Sequence, residues 1–411
     1  MFLYRAGILR VTCVNDPLAH PLAAATRRTN IWNGAAYVKL QMTNSRDGEG
    51  LPGVTRPWQA MSIREQFEKR EANFLSPCGC ASANSRGRQH PEEPCPVRTA
   101  FQRDRDRIVY CNAFRRLKHK TQVFLNPLGD NYRTRLTHTL EVAQMARNIS
   151  RAMLLNEDLT EAIALAHDLG HTPFGHGGET ALKEIFSPAF SHNEQGLRVV
   201  EKIENNGRGL NLTFEVRDGI LKHSKGFGKV MPEDPSELPL TVEGRVVRYA
   251  DIMAYLNHDL DDAVRSGVIQ AQTIPTDCAR VLGHTHSERA TTMIRDLISN
   301  SIMSDGQAIL RMSDEVYDAM LQLRAFLYRN VYRSERVHTE FIKAKKILSD
   351  LYHFYLENEA MLQEELAAME MGALSQSGQP REQLVCDLIA SMTDRYAMRN
   401  YQRLFFPSPR I

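Results

Sequence analysis

No run of about 18 apolar residues occurs in this 411-residue chain, so no segment has the length of a membrane-crossing helix. An excess of charge is also missing: 51 Lys and Arg against 49 Asp and Glu leave a formal net charge of +2. A protein held on nucleic acid by bulk charge is usually more basic, so any such binding would need a local patch. The cysteines are few and unpaired by count. Cys13, Cys78, Cys80, Cys95, Cys111, Cys278 and Cys386 are odd in number, widely spread and not preceded by a secretory signal. That pattern reads as reduced thiols in a cytoplasmic protein. Alternating strand patterns are scarce and no internal repeat occurs. What remains is a composition of ordinary globular kind, 42% hydrophobic and 24% charged, long enough for one large helical domain with appendages or for two domains.

Residues 1–60 are poor in acids, hold scattered Pro and Gly, and sustain no amphipathic period. Arg5, Arg10, Arg27 and Arg28 allow an organellar presequence. A disordered tail, or sequence lying before a true start at Met42 or Met61, is the plainer reading. From Met61 the text Met-Ser-Ile-Arg-Glu-Gln-Phe-Glu opens a helix, and residues 76–98 read as a loop. Helices are expected over 101–118, 138–155, 159–169, 192–205, 241–265, 287–303, 313–330, 336–356 and 382–398. In the second of these Leu140, Ala143, Ile149 and Met153 lie near one face. The third is apolar and short, as a buried helix would be. It starts at the capping-box-like Asp158-Leu-Thr-Glu161 and stops at Gly170. Another such box, Ser191-His-Asn-Glu194, precedes the fourth. A small hairpin is expected near 121–134 and a mobile excursion over 224–239. The fold class is therefore all-α. The expected divisions are an extension (1–60), an N-terminal helix and loop (61–100), a core (101–345) and a C-terminal helical region (346–411).

Chemistry concentrates in four strings: Arg135-Leu-Thr-His138, His167-Asp168-Leu-Gly-His171-Thr-Pro-Phe-Gly-His176, Ser191-His192-Asn-Glu-Gln, and Asp251-Ile-Met-Ala-Tyr255-Leu-Asn-His-Asp259. His167-Asp168 ends an otherwise apolar helix, where an imidazole and a carboxylate are costly unless paired or bound to metal. A lone His-Asp pair is more often structural. Three histidines, two glycines and a helix stop within ten residues are hard to explain by packing. His138 and Asp251 could complete a His, His, Asp, Asp set, which suits a divalent ion of intermediate softness. Asp251, Tyr255 and Asp259 fall at i, i+4 and i+8 and share one helix face. His192 opens a helix, where backbone N–H groups favour phosphate. Two other sets read as unremarkable. Cys78, Cys80, His90 and Cys95 fit no standard zinc module and read as loop residues. Arg115, Arg116, Lys118 and Lys120 read as a solvated helix face, with nucleotide or weak single-stranded nucleic-acid binding as the alternative.

These strings, with Phe101-Gln-Arg-Asp-Arg-Asp-Arg-Ile, Phe114-Arg-Arg-Leu-Lys-His-Lys-Thr-Gln-Val and Ala250-Asp-Ile-Met-Ala-Tyr-Leu-Asn-His-Asp-Leu-Asp-Asp-Ala, resemble the HD superfamily. Within it they are similar to the deoxyguanosine-triphosphate triphosphohydrolase-like proteins, over residues 61–411. The resemblance implies an HD helical fold with additional C-terminal helices. It implies metal ligands at His138, His167, Asp168 and Asp251, with a divalent ion among Mn, Mg, Fe, Co, Ni and Zn. Catalytic groups are implied at His171, Glu179 and His192, a triphosphate-holding Arg135, and sugar contacts at Gln122, Tyr255 and Asp259. His176 is held only as a secondary or phosphate contact. The implied reaction is hydrolysis of deoxynucleoside triphosphates to deoxynucleoside and tripolyphosphate. The implied assembly is a homo-oligomer, hexamer or tetramer, with an activating nucleotide in some members. The rivals are an HD phosphodiesterase or nucleotidase acting on another nucleotide, and a nucleotide or nucleic-acid sensor with weak turnover.

Overall fold

The computed structural model describes residues 61–124, 132–224, 230–232, 234–304 and 306–407. The expectation for residues 1–60 lies outside these, as do 225–229 and 233 of the excursion expected over 224–239. The described chain is all-α. Helix α1 (Ile63–Phe74) is followed by the loop, then α2 (Ala100–Tyr110), α3 (Asn112–Arg116), α4 (Arg135–Ala152), α5 (Glu157–Ala166), α6 (Gly175–Ile185) and α7 (His192–Arg198). A short turn α8 (Glu204–Gly207) leads to α9 (Phe214–Lys222), the long α10 (Val242–Arg265), α11 (Thr276–Leu282) and α12 (His286–Asn300). The C-terminal helices are α13 (Asp314–Leu327), α14 (Glu335–Glu357), α15 (Glu359–Ala368), α16 (Arg381–Ser391) and α17 (Asp394–Phe405). The sole sheet among the described residues is a hairpin, β1 (Ile302–Ser304) antiparallel to β2 (Gln307–Ile309).

The core is centred on α5, which packs against α2, α4, α9 and α10. Leu159, Ala162, Ile163, Ala164, Leu165 and Ala166 are all buried, so this helix is apolar nearly all round. Each fully buried Leu or Ile there contributes about 1.5–3 kcal/mol relative to exposure. Helix α10 lies alongside and packs on α4, α5, α9, α12 and α13. Helix α14 joins the C-terminal helices to the core through α6, α16 and α17.

Several boundaries differ from expectation. The 101–118 segment breaks at Cys111, whose Sγ accepts from Phe114 N and caps α3. Helix α4 begins at Arg135, where Thr134 and Thr137 cap reciprocally; this puts Arg135 and His138 on one turn. Leu140 is exposed rather than on the buried face. Helix α5 is capped by Asn156, not Asp158, which pairs instead with Arg105. The 192–205 segment widens into a π turn after Arg198, and 382–398 breaks at Met392-Thr393. Residues 302–304 are strand, not helix. The hairpin expected at 121–134 is represented by one bridge, Thr121 to Thr134; residues 125–131 lie outside the described ones. Helices α6, α9, α11 and α15 were not expected. Three glycines hide α6: a Cβ on Gly178 would stand 2.0 Å from Pro173 O, and one on Gly177 2.7 Å from Phe341. Close packing therefore outweighs their poor helix propensity.

Candidate active site

The pocket is assembled where several helix ends meet. The first turn of α4 supplies Arg135 and His138, and the end of α5 supplies His167 and Asp168. Gly170 was expected to let the chain leave the helix. Its role is instead one of space: a Cβ there would lie 2.1 Å from Gly196 N and 2.2 Å from His192 O. Only glycine lets the turn bearing His171 approach α7, which carries His192. The turn then reverses at Phe174 and Gly175, with φ of 62° and 58°. A bulky residue in that region is strained and needs support. Phe174 N donates to Asp394 Oδ1 at 2.8 Å, and Thr121 N donates to Asp394 Oδ2 at 2.9 Å. Lys120 Nζ donates to His171 O and, at 2.9 Å, to Ala390 O. Lys120 is thus buried inside the molecule and is not part of a solvated basic face; Arg115 and Lys118 do face solvent.

His138, His167, Asp168 and Asp251 come together. His138 Nε2 lies 3.2 Å from Asp251 Oδ1 and 3.5 Å from Asp168 Oδ2. His167 Nε2 lies 3.4 Å from Asp168 Oδ1 and 3.8 Å from Asp251 Oδ1, and it has no hydrogen-bond partner. His167 Nδ1 is occupied by Ala164 O at 2.6 Å, so Nε2 carries the lone pair. Burial works against a charged Asp168, yet His167, His171 and Arg135 hold its carboxyl well below the usual range. Asp251 behaves alike: against burial, the bond from His138 and the neighbouring histidines bring it down to about 2. Two carboxylates beside two imidazole Nε2 atoms, that of His167 without a hydrogen-bond partner, fit a divalent cation. Among the described residues, the groups whose donor atoms converge in this way are His138–His167–Asp168 and Asp168–His171–His192. Cys78, Cys80, His90 and Cys95 form no such group.

A second histidine cluster adjoins the first. The rings of His171 and His192 stack, with centroids 3.9 Å apart and planes at 14°. His171 Nε2 is 3.1 Å from Asp168 Oδ1. Burial, then Arg135 and His192, push the His171 pKa well below its ordinary value. Glu179 engages His192 rather than His171: His192 Nδ1 donates to Glu179 Oε2 at 2.9 Å, and Lys183 Nζ holds Oε1 at 2.8 Å. His192 Nε2 lies 3.3 Å from His223 Nε2, while His223 Nδ1 donates to Ile220 O. His176 is exposed at the rim, 4.0 Å from Glu179.

Arg135 is 1% exposed; Nη1 binds Asp168 Oδ2 at 2.7 Å, while Nε and Nη2 have no partner. Unmet guanidinium donors in a buried position are costly, and an oxyanion would satisfy them. Farther along α10, Tyr255 and Asp259 line the same cleft of about 560 Å³, as do Gln122, Arg324 and Tyr332. Asp259 Oδ2 accepts from Tyr332 O–H at 2.5 Å. A second, open groove lies between α10, α11, α12 and α13. Its buried Arg289 is already held by Asn257, His284 O and Asp261. The sequence reading missed His223, Arg324 and Tyr332. Each lies on a helix that the strings do not reach, and only the fold brings them to the cleft. No described helix is long and apolar enough to cross a membrane.

Comparison with known proteins places the motif in context. Residues 135–256 match the HD domain, and residues 310–403 match the phosphohydrolase-associated domain. A deoxyguanosinetriphosphate triphosphohydrolase-like protein of Desulfatibacillum aliphaticivorans is 63% identical over 351 residues, covering 85% of this chain and all of that one. One of the same description from Caldanaerobacter subterraneus subsp. tengcongensis is 51% identical, covering 85% of this chain and 97% of its own. Another from Geobacter sulfurreducens is 40% identical, with 85% and 100% covered.

Proposed function

The chain belongs to the HD-domain deoxyguanosinetriphosphate triphosphohydrolase-like proteins, and from that premise we propose that it hydrolyses deoxynucleoside triphosphates to deoxynucleoside and tripolyphosphate. The observation that carries the proposal is one cleft lined by a cation-fitting set, a buried arginine with unmet donors, and the Asp251–Tyr255–Asp259 row. A divalent ion held by His138, His167, Asp168 and Asp251 would polarise a phosphoryl oxygen and acidify a water.

The chain's own residues take the remaining roles. Arg135 neutralises the triphosphate as its Nε and Nη2 find acceptors. Tyr255 packs beside the deoxyribose C2′ and leaves little room for a 2′-hydroxyl. Asp259 accepts from the 3′-hydroxyl, and Gln122, whose Oε1 is buried without a partner, lies in the same cleft beside the sugar. Water attacks the α-phosphorus, the bond to the sugar 5′-oxygen breaks, and that oxygen takes a proton from a histidine. His192 suits this step: it lines the cleft, Glu179 fixes its ring through Nδ1, and its Nε2 lies 3.3 Å from His223 Nε2. His171, stacked on it, keeps that ring in plane.

Incubation with each nucleotide and Mn²⁺, followed by phosphorus NMR, tests the reading. Tripolyphosphate is expected from dNTPs, and its absence with every dNTP rejects the reaction. Hydrolysis in ¹⁸O-labelled water should place label in tripolyphosphate and none in the deoxynucleoside. Pyrophosphate with dNMP would mean cleavage between the α- and β-phosphates.

A further inference from the structure

His258 is wholly buried on α10, and the proposed reaction gives it no part. Its Nε2 stands 2.7 Å from His138 Nδ1. The other nitrogen of His138, Nε2, is the one that faces Asp251 and Asp168. A neutral imidazole that ligates through Nε2 carries its proton on Nδ1. That N–H has one acceptor at hand, His258 Nε2, which must then hold a lone pair. The proton of His258 therefore belongs on Nδ1. Asp259 Oδ1 lies 2.7 Å from this atom, off the line of a linear hydrogen bond, and its negative charge favours the proton there. Asp259 Oδ2 in turn accepts from Tyr332 O–H. One series of contacts thus runs from the cation-facing nitrogen of His138, through His258 and Asp259, to Tyr332 at the far end of the cleft.

We propose that His258 is a positioning residue that fixes the tautomer and ring orientation of His138 and ties this ligand to the sugar-facing carboxylate Asp259. The inference rests on the metal-dependent reading of the cleft. The two histidine ligands are oriented by different means. His167 is fixed by the carbonyl of Ala164 on its own helix. His138 is fixed by a side chain of α10, the helix that also carries Asp251, Tyr255 and Asp259. Outer partners of this kind orient a ligand and raise its basicity.

The metal alone provides the test. Metal-free protein is titrated with Mn²⁺ in the absence of nucleotide, and free Mn²⁺ is read by electron paramagnetic resonance. His258→Leu should weaken Mn²⁺ binding by roughly 10- to 100-fold, the range for loss of an outer partner. His258→Gln, whose Oε1 can accept from His138, should restore affinity close to that of the unsubstituted protein. Thermal unfolding is followed in parallel. A merely structural role would lower the unfolding midpoint of His258→Leu and leave the Mn²⁺ affinity of its folded form unchanged, and that result overturns the proposal. A second measurement needs no substitution. In ¹⁵N-histidine-labelled, Zn²⁺-loaded protein, His258 should be protonated at Nδ1; protonation at Nε2 overturns the proposal. If the unsubstituted protein binds no Mn²⁺, this inference and the metal reading fall together. If it binds Mn²⁺ and cleaves no dNTP, the substrate reading alone falls.

Discussion

Asp168 stands between two histidine clusters that differ in their complement of carboxylates. On one side His138 and His167 face Asp168 and Asp251, both held ionised. On the other, His171, His192 and His223 crowd together, and the further carboxylate, Glu179, is turned to the Nδ1 of His192 and to Lys183. The first cluster carries negative charge toward imidazole lone pairs, which is what a cation needs. The second presents imidazoles beside the unmet donors of Arg135, which is what an anion and a departing oxygen need. Residue type is the same on both sides, and the partners set the chemistry.

Substitutions should separate the two clusters. The largest effect is expected in the first: Asp168→Ala or His167→Ala should lower dNTP hydrolysis by about three orders of magnitude or more and strip bound metal, since each would delete a ligand of the proposed ion. Elemental analysis of the purified variants checks this, and metal content equal to the parent protein in both would refute the ligand assignment. In the second cluster, His192→Ala should reduce kcat by roughly 10²- to 10⁴-fold, the usual contribution of a positioned acid, with metal content unchanged. Metal loss in this variant would erase the distinction between the clusters.

The next effect concerns the sugar. The unsubstituted protein should prefer dGTP to GTP, and Tyr255→Ala should narrow that preference by about tenfold, a loss of steric discrimination worth about 1.4 kcal/mol. Equal turnover of both nucleotides by the unsubstituted protein defeats the idea. A smaller effect is on acid stability. Burial opposes ionisation of Glu179, but the bond and charge of His192, then His171 and Lys183, bring its carboxyl below the 4.5 of a free glutamate. Below pH 4.5 the unfolded chain takes up a proton that the folded chain refuses. The stabilisation is therefore present above pH 4.5 and is lost as the pH falls. Denaturant titrations should show Glu179→Gln losing stability less steeply than the parent below that pH, by roughly 1 kcal/mol per pH unit. Parallel slopes would mean that the Glu179–His192 pair does not carry this linkage. No effect at all is expected from Cys78→Ala, Cys80→Ala or Cys95→Ala on metal content, because these thiols join no convergent donor group. Zinc lost from any of them would add a site outside the cleft.

The sequence made legible what is local. The HD string, the helix-face row on α10 and the all-α class follow from spacing that a single helix or turn enforces. Boundaries went astray where side chains capped unexpectedly, as at Asn156, or where glycines were required by contact rather than by turning, as in α6. Lys120 looked like surface because its neighbours Arg115 and Lys118 are surface; its own environment is made by carbonyls of His171 and Ala390, far apart in the chain. Tyr332 reaches Asp259 across 73 residues through a π turn that extends α13. Such partnerships leave no periodic trace.

The anchorage of the turn after His171 has a consequence for how the gene can be cut. Asp394 supports Phe174 and Thr121, and Ala390 receives Lys120, so the strained reversal leans on the last two helices of the described chain. Within the motif segment 135–256 the turn is braced by Thr172, whose Oγ1 donates to Gly175 O; the carboxylate that holds Phe174 N sits inside the segment 310–403. A late frameshift that spared every catalytic codon would still loosen the loop that carries His171. The two matched segments therefore share the support of that turn, and a change at Asp394 reaches the loop that carries His171.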